Sequence, residues 1–142
     1  MGLSVLGCAT ATGGGPLPLR SLVKGGFSGI REAKQEVIKD SAAWERLWAQ
    51  HNANTPRSAP LPDVNFSKEM VIVATMGTKR TGGYSVEILR AERKGKKLRI
   101  EVQQTSPPPG SITIQALTAP FHFVAVPRQD LEPEFVESIL KP

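Results

Sequence analysis

The chain has 142 residues, room for one hydrophobic core and too few for two comfortable domains. Apolar residues make up 39% and charged residues 22%, as in an ordinary globular protein, while 13 Gly and 12 Pro argue against a helical bundle. The net charge of +5 raises the question of nucleic acid, but the cations are scattered apart from Arg90, Arg93, Lys94, Lys96 and Lys97. That cluster surrounds Gly95 and reads as a solvated hairpin tip. No paired-aromatic RNA motif, zinc-finger spacing or helix-turn-helix pattern accompanies it, so no nucleic-acid partner is expected.

In chain order, Leu3-Ser-Val-Leu-Gly-Cys8 resembles a bacterial lipobox, with small residues before a cysteine that would carry the lipid. The apolar run is short and lacks a preceding Lys or Arg, so either the native start lies upstream of Met1 or the match is accidental. The lipoprotein reading, with Cys8 as the lipidation site, is the one carried forward. Residues 1–8 are then a truncated signal and residues 9–24 a Thr-, Gly- and Pro-rich flexible linker, followed by a single domain over 25–142. No run approaches the ~20 apolar residues of a transmembrane helix, so membrane attachment is expected only through lipid. With one cysteine, no intramolecular disulfide can form.

Residues 30–39 alternate imperfectly and read as a strand rather than a short helix. Asp40-Ser41 is a helix-start signal, with Ser41 the expected N-cap and Glu45 in the first turn. Trp44, Leu47 and Trp48 share one helical face, a pattern that favours core over a ligand platform. His51 falls at the helix end, where a cation is favoured. A Pro- and Asn-rich loop follows, and the apolar run Met70 to Met76 then reads as a strand buried on both faces.

Thr81-Gly-Gly-Tyr-Ser85 reads as a hairpin turn, with Gly82 and Gly83 free to take positive φ. It opens into the alternating strand Tyr84–Arg90, the basic turn, and a second alternating strand Leu98–Gln104. Pro107-Pro-Pro-Gly110 ends that strand, because proline cannot donate to a ladder. Residues 111–119 fit either a short strand or an extended connection. Phe121–Val126 is the last expected strand, and Pro133–Leu140 reads as a terminal helix. The expected fold is α+β: a mainly antiparallel sheet with one helix before the central strands and one C-terminal helix.

The order of these features from Phe66 to Val126 resembles the C-terminal domain of the PrcB family. Members show a buried strand, a Thr-Gly-Gly-Tyr-Ser turn, a proline-containing loop and a Thr-x-Pro-aromatic step into a final strand. Here those are Val71–Met76, Thr81–Ser85, Pro107–Gly110 and Thr118-Ala-Pro-Phe121, giving a matching core of about residues 66–127. The family is named for a lipoprotein subunit of a surface protease complex, where it accompanies a subtilisin-type protease. The resemblance thus implies an accessory or binding protein of the bacterial cell envelope, with a protease or another envelope protein as partner.

If the strands pair as successive antiparallel neighbours, the Thr81–Tyr84 turn, the Pro107–Gly110 loop and Thr118–Phe121 gather at one end of the sheet. Thr81, Gly82, Gly83, Tyr84, Pro107, Pro108, Thr118, Pro120 and Phe121 would then form a rigid, partly apolar rim. Rigid aromatic and proline surfaces bind partners at low entropic cost; the same residues could equally just pack the sheet end. Two other readings use the same chain: a protease-inhibitor-like domain presenting these turns to a protease cleft, and a glycan-binding module using exposed Trp44 or Trp48.

No catalytic set is visible. The two histidines, His51 and His122, lie far apart in sequence, and Gly-x-Ser-x-Gly, His-x-x-x-His and Cys-x-x-Cys are absent. Gly13 to Gly15 end in proline and open no strand–helix unit, so they form no phosphate loop. A carboxylate-pair hydrolase leaves no spacing signal to read. The expectation is a non-enzyme with no metal and no cofactor.

Overall fold

A computed structural model describes residues 15–53 and 59–140. It places the lipobox-like segment and Cys8 outside the described residues. Eight strands and one helix follow in order: β1 (Gly15–Pro16), β2 (Arg20–Gly25), β3 (Ala33–Ile38), α1 (Ser41–His51), β4 (Glu69–Met76), β5 (Ser85–Lys94), β6 (Lys97–Thr105), β7 (Phe121–Pro127) and β8 (Glu132–Leu140). The strands form two four-stranded sheets, ordered β1-β5-β6-β8 and β2-β7-β4-β3.

Burial on both faces of β4 and β7 organises three layers. Met70, Ile72, Ala74, Met76, Val124 and Val126 pack against Val86, Ile88, Ala91, Leu98, Ile100 and Val102 of the other sheet. Val71, Val73, Phe121 and Phe123 point the opposite way, onto Trp44, Leu47 and Trp48 of α1. The unbroken apolar run of β4 therefore serves two cores at once, as a doubly covered strand requires. The inward phase of β5 changes from Val86 and Ile88 to Ala91 at a bulge between Ile88 and Arg90. The extra residue, Leu89, is turned outward.

The helix begins one residue earlier than Ser41 suggests. Asp40 is the N-cap, its carboxylate accepting from Ala43 N–H at 2.8 Å, and no acidic residue lies in the first turn. Trp44, Leu47, Trp48 and His51 form its buried stripe. Both tryptophans also donate outward to the following loop, Trp44 to the Pro62 carbonyl (3.1 Å) and Trp48 to that of Ala59 (3.0 Å).

Several expectations are corrected. The fold is mostly β with a single helix among the described residues, not α+β with a C-terminal helix. Residues 132–140 instead form β8, parallel to β6 along its whole length. Without it, the outer edge of β6 would carry unpaired N–H and C=O groups, and Phe135 would lose its place against the inter-sheet core. Pro133 is tolerated because β8 is an edge strand.

The Thr81–Tyr84 turn is not a hairpin. The strand β4 lies between β7 and β3, so the chain crosses from one sheet to the other before β5 begins. Only β5 and β6 are hairpin neighbours, joined at Gly95 (φ +60°) in the basic tip. Part of the stretch read as a flexible linker is in strands, since β1 pairs with β5 and β2 with β7.

Candidate functional site

Three segments converge at the end of the sandwich where β4 stops and β5 starts. Residues 77–84 cross between the sheets; residues 106–120 connect β6 to β7; residues 26–32 connect β2 to β3. Lys79 and Thr118 exchange backbone hydrogen bonds (2.7 and 2.9 Å), and Thr118 Oγ1 donates to the Thr81 carbonyl at 2.8 Å. Gly82 N–H donates to the Ile114 carbonyl (3.0 Å), while Ala119 bonds back to Gly26 and Ser28. The loops are thus tied to one another rather than left standing free.

The paired glycines permit this closeness. A Cβ on Gly82 would lie 2.6 Å from Ile114 Cγ1, and one on Gly83 would lie 2.7 Å from Pro107 Cβ. Gly83 also has φ +93°, whereas Gly82 does not use positive φ. Their role is to let the proline loop lie against the crossing segment.

The structure brings all nine candidate rim residues to this end, but not all to its surface. Thr118, Pro120 and Phe121 are buried. Phe121 faces α1, its ring centroid 4.4 Å from that of His51, and so belongs to the helix-side core. Pro120 is held by its carbonyl, which accepts from Met76 N–H at 3.0 Å. Tyr84 is half-buried against the inter-sheet core, with Lys79 Nζ 5.1 Å from its ring centroid. Thr81, Gly82 and Pro107 are half-buried, while Gly83 and Pro108 are exposed.

What reaches solvent is a set that sequence reasoning missed. Ile112 is fully exposed, and Leu117, Phe27 and Ile114 are 69%, 66% and 59% exposed. Phe27 bridges to Ala119, two residues along the chain from Leu117. Ile112 and Ile114 sit two apart in a stretch that joins no sheet, and that combination was the available signal. Around them stand Arg31, Lys79 and Arg80, none in an ion pair among the described residues. Arg31 belongs here because its carbonyl accepts from Thr78 N–H at 3.2 Å.

The buried histidines do structural work elsewhere. His122 Nδ1 accepts from Ile88 N–H at 2.9 Å, so the ring proton resides on Nε2 and is donated to Ser21 Oγ, also 2.9 Å away. A ring in that tautomer cannot take a proton from Ser21, so the pair is not arranged as nucleophile and base. Burial, then repulsion from Lys24, pushes the His122 pKa down to about 4, with Glu87 opposing.

His51 is not the helix-end cation that its position suggests. It stacks among Trp48, Phe121 and Phe123, and burial lowers its pKa. Ser28 Oγ accepts from Ile30 N–H and lies 2.9 Å from His51 Nδ1. No carboxylate backs either ring, and no group of metal-ligating side chains occurs among the described residues. Trp44 and Trp48, at 1% and 8% exposure, cannot offer the exposed platform that the glycan reading needed.

The comparison with protein-family models matches residues 70–127 to a family described as PrcB C-terminal. No curated protein and no solved structure matches the chain. The matched span runs from β4 through β7 and contains both the glycine crossing and the proline loop. Over residues 70–127, the chain is similar to the PrcB C-terminal family.

Proposed function

We propose that this protein is a non-catalytic binding module of the bacterial cell envelope, lipid-anchored through Cys8. In this reading it docks a protease or another envelope protein onto the Phe27/Ile112/Ile114/Leu117 end. The observation that carries it is the exposure of four large apolar side chains on mutually tied loops. Scattered single apolar residues are normal on a surface, but a gathered set at one end of a fold marks an interaction site. The tying hydrogen bonds lower the ordering cost of binding. The family match over residues 70–127 supports an accessory role, and the tautomer of His122 speaks against a Ser21–His122 catalytic pair.

The test is capture from the native envelope with the full chain as bait, set against Ile112→Ser/Ile114→Ser/Leu117→Ser. These positions are exposed, so the variant is expected to unfold at the same temperature as the parent while losing the captured protein. Equal capture by both baits would remove this end from consideration.

One observation favours an inhibitor as the second reading. Fully exposed Ile112 stands on a loop pinned on either side, by Ser111 N–H to the Pro108 carbonyl and by Gly82 N–H to the Ile114 carbonyl. A pinned, exposed loop suits a protease cleft. If a captured subtilisin-type protease is inactive while bound and regains activity on release, the inhibitor reading replaces that of a plain subunit.

A further inference from the structure

We infer that the partner segment received by this end is apolar and flanked by carboxylates. This rests on the docking reading above and adds the chemistry of the ligand. The apolar side chains Phe27, Ile112, Ile114 and Leu117 lie on the same three tied segments as Arg31, Lys79 and Arg80. The other basic cluster is different: at the hairpin tip, Lys97 pairs with Glu132 at 2.9 Å and Lys94 with Glu92 at 3.8 Å. Among the described residues Arg31, Lys79 and Arg80 have no carboxylate partner, and Arg20 shows what pairing looks like here, with its guanidinium bonded to both Glu69 oxygens.

Lys79 is held in place, half-buried with Nζ over the Tyr84 ring and its backbone bonded to Thr118. Its ammonium is therefore positioned at the patch border at little further entropic cost. Arg31 and Arg80 are exposed and bring two more charges of the same sign. An apolar partner segment bearing Lys or Arg at its flanks would meet like charge, while one bearing Asp or Glu would be both steered in and held.

The backbone adds a polar component. Apart from Ile114, whose carbonyl is taken by Gly82, residues 112–117 make no backbone–backbone hydrogen bond to another segment among the described residues, and the Thr113 carbonyl accepts from Gln115 Nε2 at 3.3 Å. A bound peptide can use these groups alongside the apolar contacts.

The experiment titrates the full chain into three labelled peptides and reads fluorescence anisotropy. The probes are Asp-Leu-Val-Leu-Glu-Ile-Asp, the same peptide with every acid replaced by Lys, and the same with every acid replaced by its amide. The acidic peptide is expected to bind at least about tenfold more tightly than the lysine peptide. That preference should shrink when salt rises from about 0.05 M to about 0.5 M, as the Debye length contracts. The Lys79→Glu/Arg80→Glu variant should reverse it, while Lys94→Glu/Lys96→Glu at the hairpin tip should leave it unchanged. Failure of the acidic peptide to bind, or equal binding of the acidic and lysine peptides, overturns the inference. Binding of the amide peptide that is lost in Ile112→Ser/Ile114→Ser, without any charge preference, would sink the inference and leave the docking reading standing.

Discussion

Trp44→Ala is expected to destabilise the domain by about 3–5 kcal/mol, a large part of the stability of a protein this size. Trp44 is 1% exposed at the centre of the layer between α1 and the β2-β7-β4-β3 sheet. Its ring lies 5.6 Å from Trp48 and 5.9 Å from Phe123, the latter edge-on. Truncation leaves a cavity that α1 cannot close without giving up Trp48 and Leu47, and it orphans the Pro62 carbonyl. Urea unfolding followed by circular dichroism measures the loss. A change below about 1 kcal/mol would mean that α1 is not docked as described.

The second large effect is a loss of stability with acid. His122 is 4% exposed, and its pKa falls from the ordinary 6.5 to about 4 in the folded protein. Below 6.5 the unfolded chain binds a proton that the folded chain refuses, so stability declines as pH drops. The decline ends near 4, where folded His122 is protonated as well and its bond from Ile88 N–H is broken. The contribution amounts to about 2–3 kcal/mol across that window. His51, lowered by burial, acts in the same direction.

Glu69 titrates in a lower window. Its hydrogen bond from Arg20 holds its pKa below the ordinary 4.5, so its contribution is intact above that value and is lost on further acidification. Denaturation curves between about pH 7 and about pH 5 therefore isolate the histidines. His122→Gln should flatten the slope to the part due to His51. An unchanged slope in that variant would show that His122 is not the titrating group.

Much of the layer structure was legible in the chain. The run Met70–Met76 announced a strand buried on both faces, and Trp44, Leu47 and Trp48 announced a helix docking by one stripe. The alternation in β5 and β6 was equally plain, and so was their basic turn. Sheet membership was not legible, because periodicity reports which face a residue occupies and not which strand lies beside it. The partners of β4 are β3 and, some fifty positions further on, β7, and adjacency in sequence pointed wrongly to β5. The terminal segment failed for a related reason. In Glu132 to Leu140, Phe135, Val136, Ile139 and Leu140 recur at helix-like spacing, and pairing with the open edge of β6 overrides it.

At the candidate site, Gly82 and Gly83 marked the correct place for an unexpected reason. They admit the proline loop rather than turn a hairpin. Phe121 was assigned to the rim because its neighbours are loop residues, yet the phase of β7 turns it toward α1. Truncating Phe121 would open the helix-side core, so it is a poor probe of binding. Ile112 and Ile114 are the better probes, since their side chains carry little of the fold.

The central claim is that partners meet this protein at the loop end and not elsewhere on its surface. Site-specific photo-cross-linking in intact cells tests it directly, with a benzoylphenylalanine placed at Ile112, at Lys96 in the hairpin tip, or at Val136 on β8. The account predicts an adduct of defined mass from position 112 and none from 96 or 136. An adduct from 96 or 136 without one from 112 would contradict it, and would move the binding surface to the β5–β6–β8 sheet.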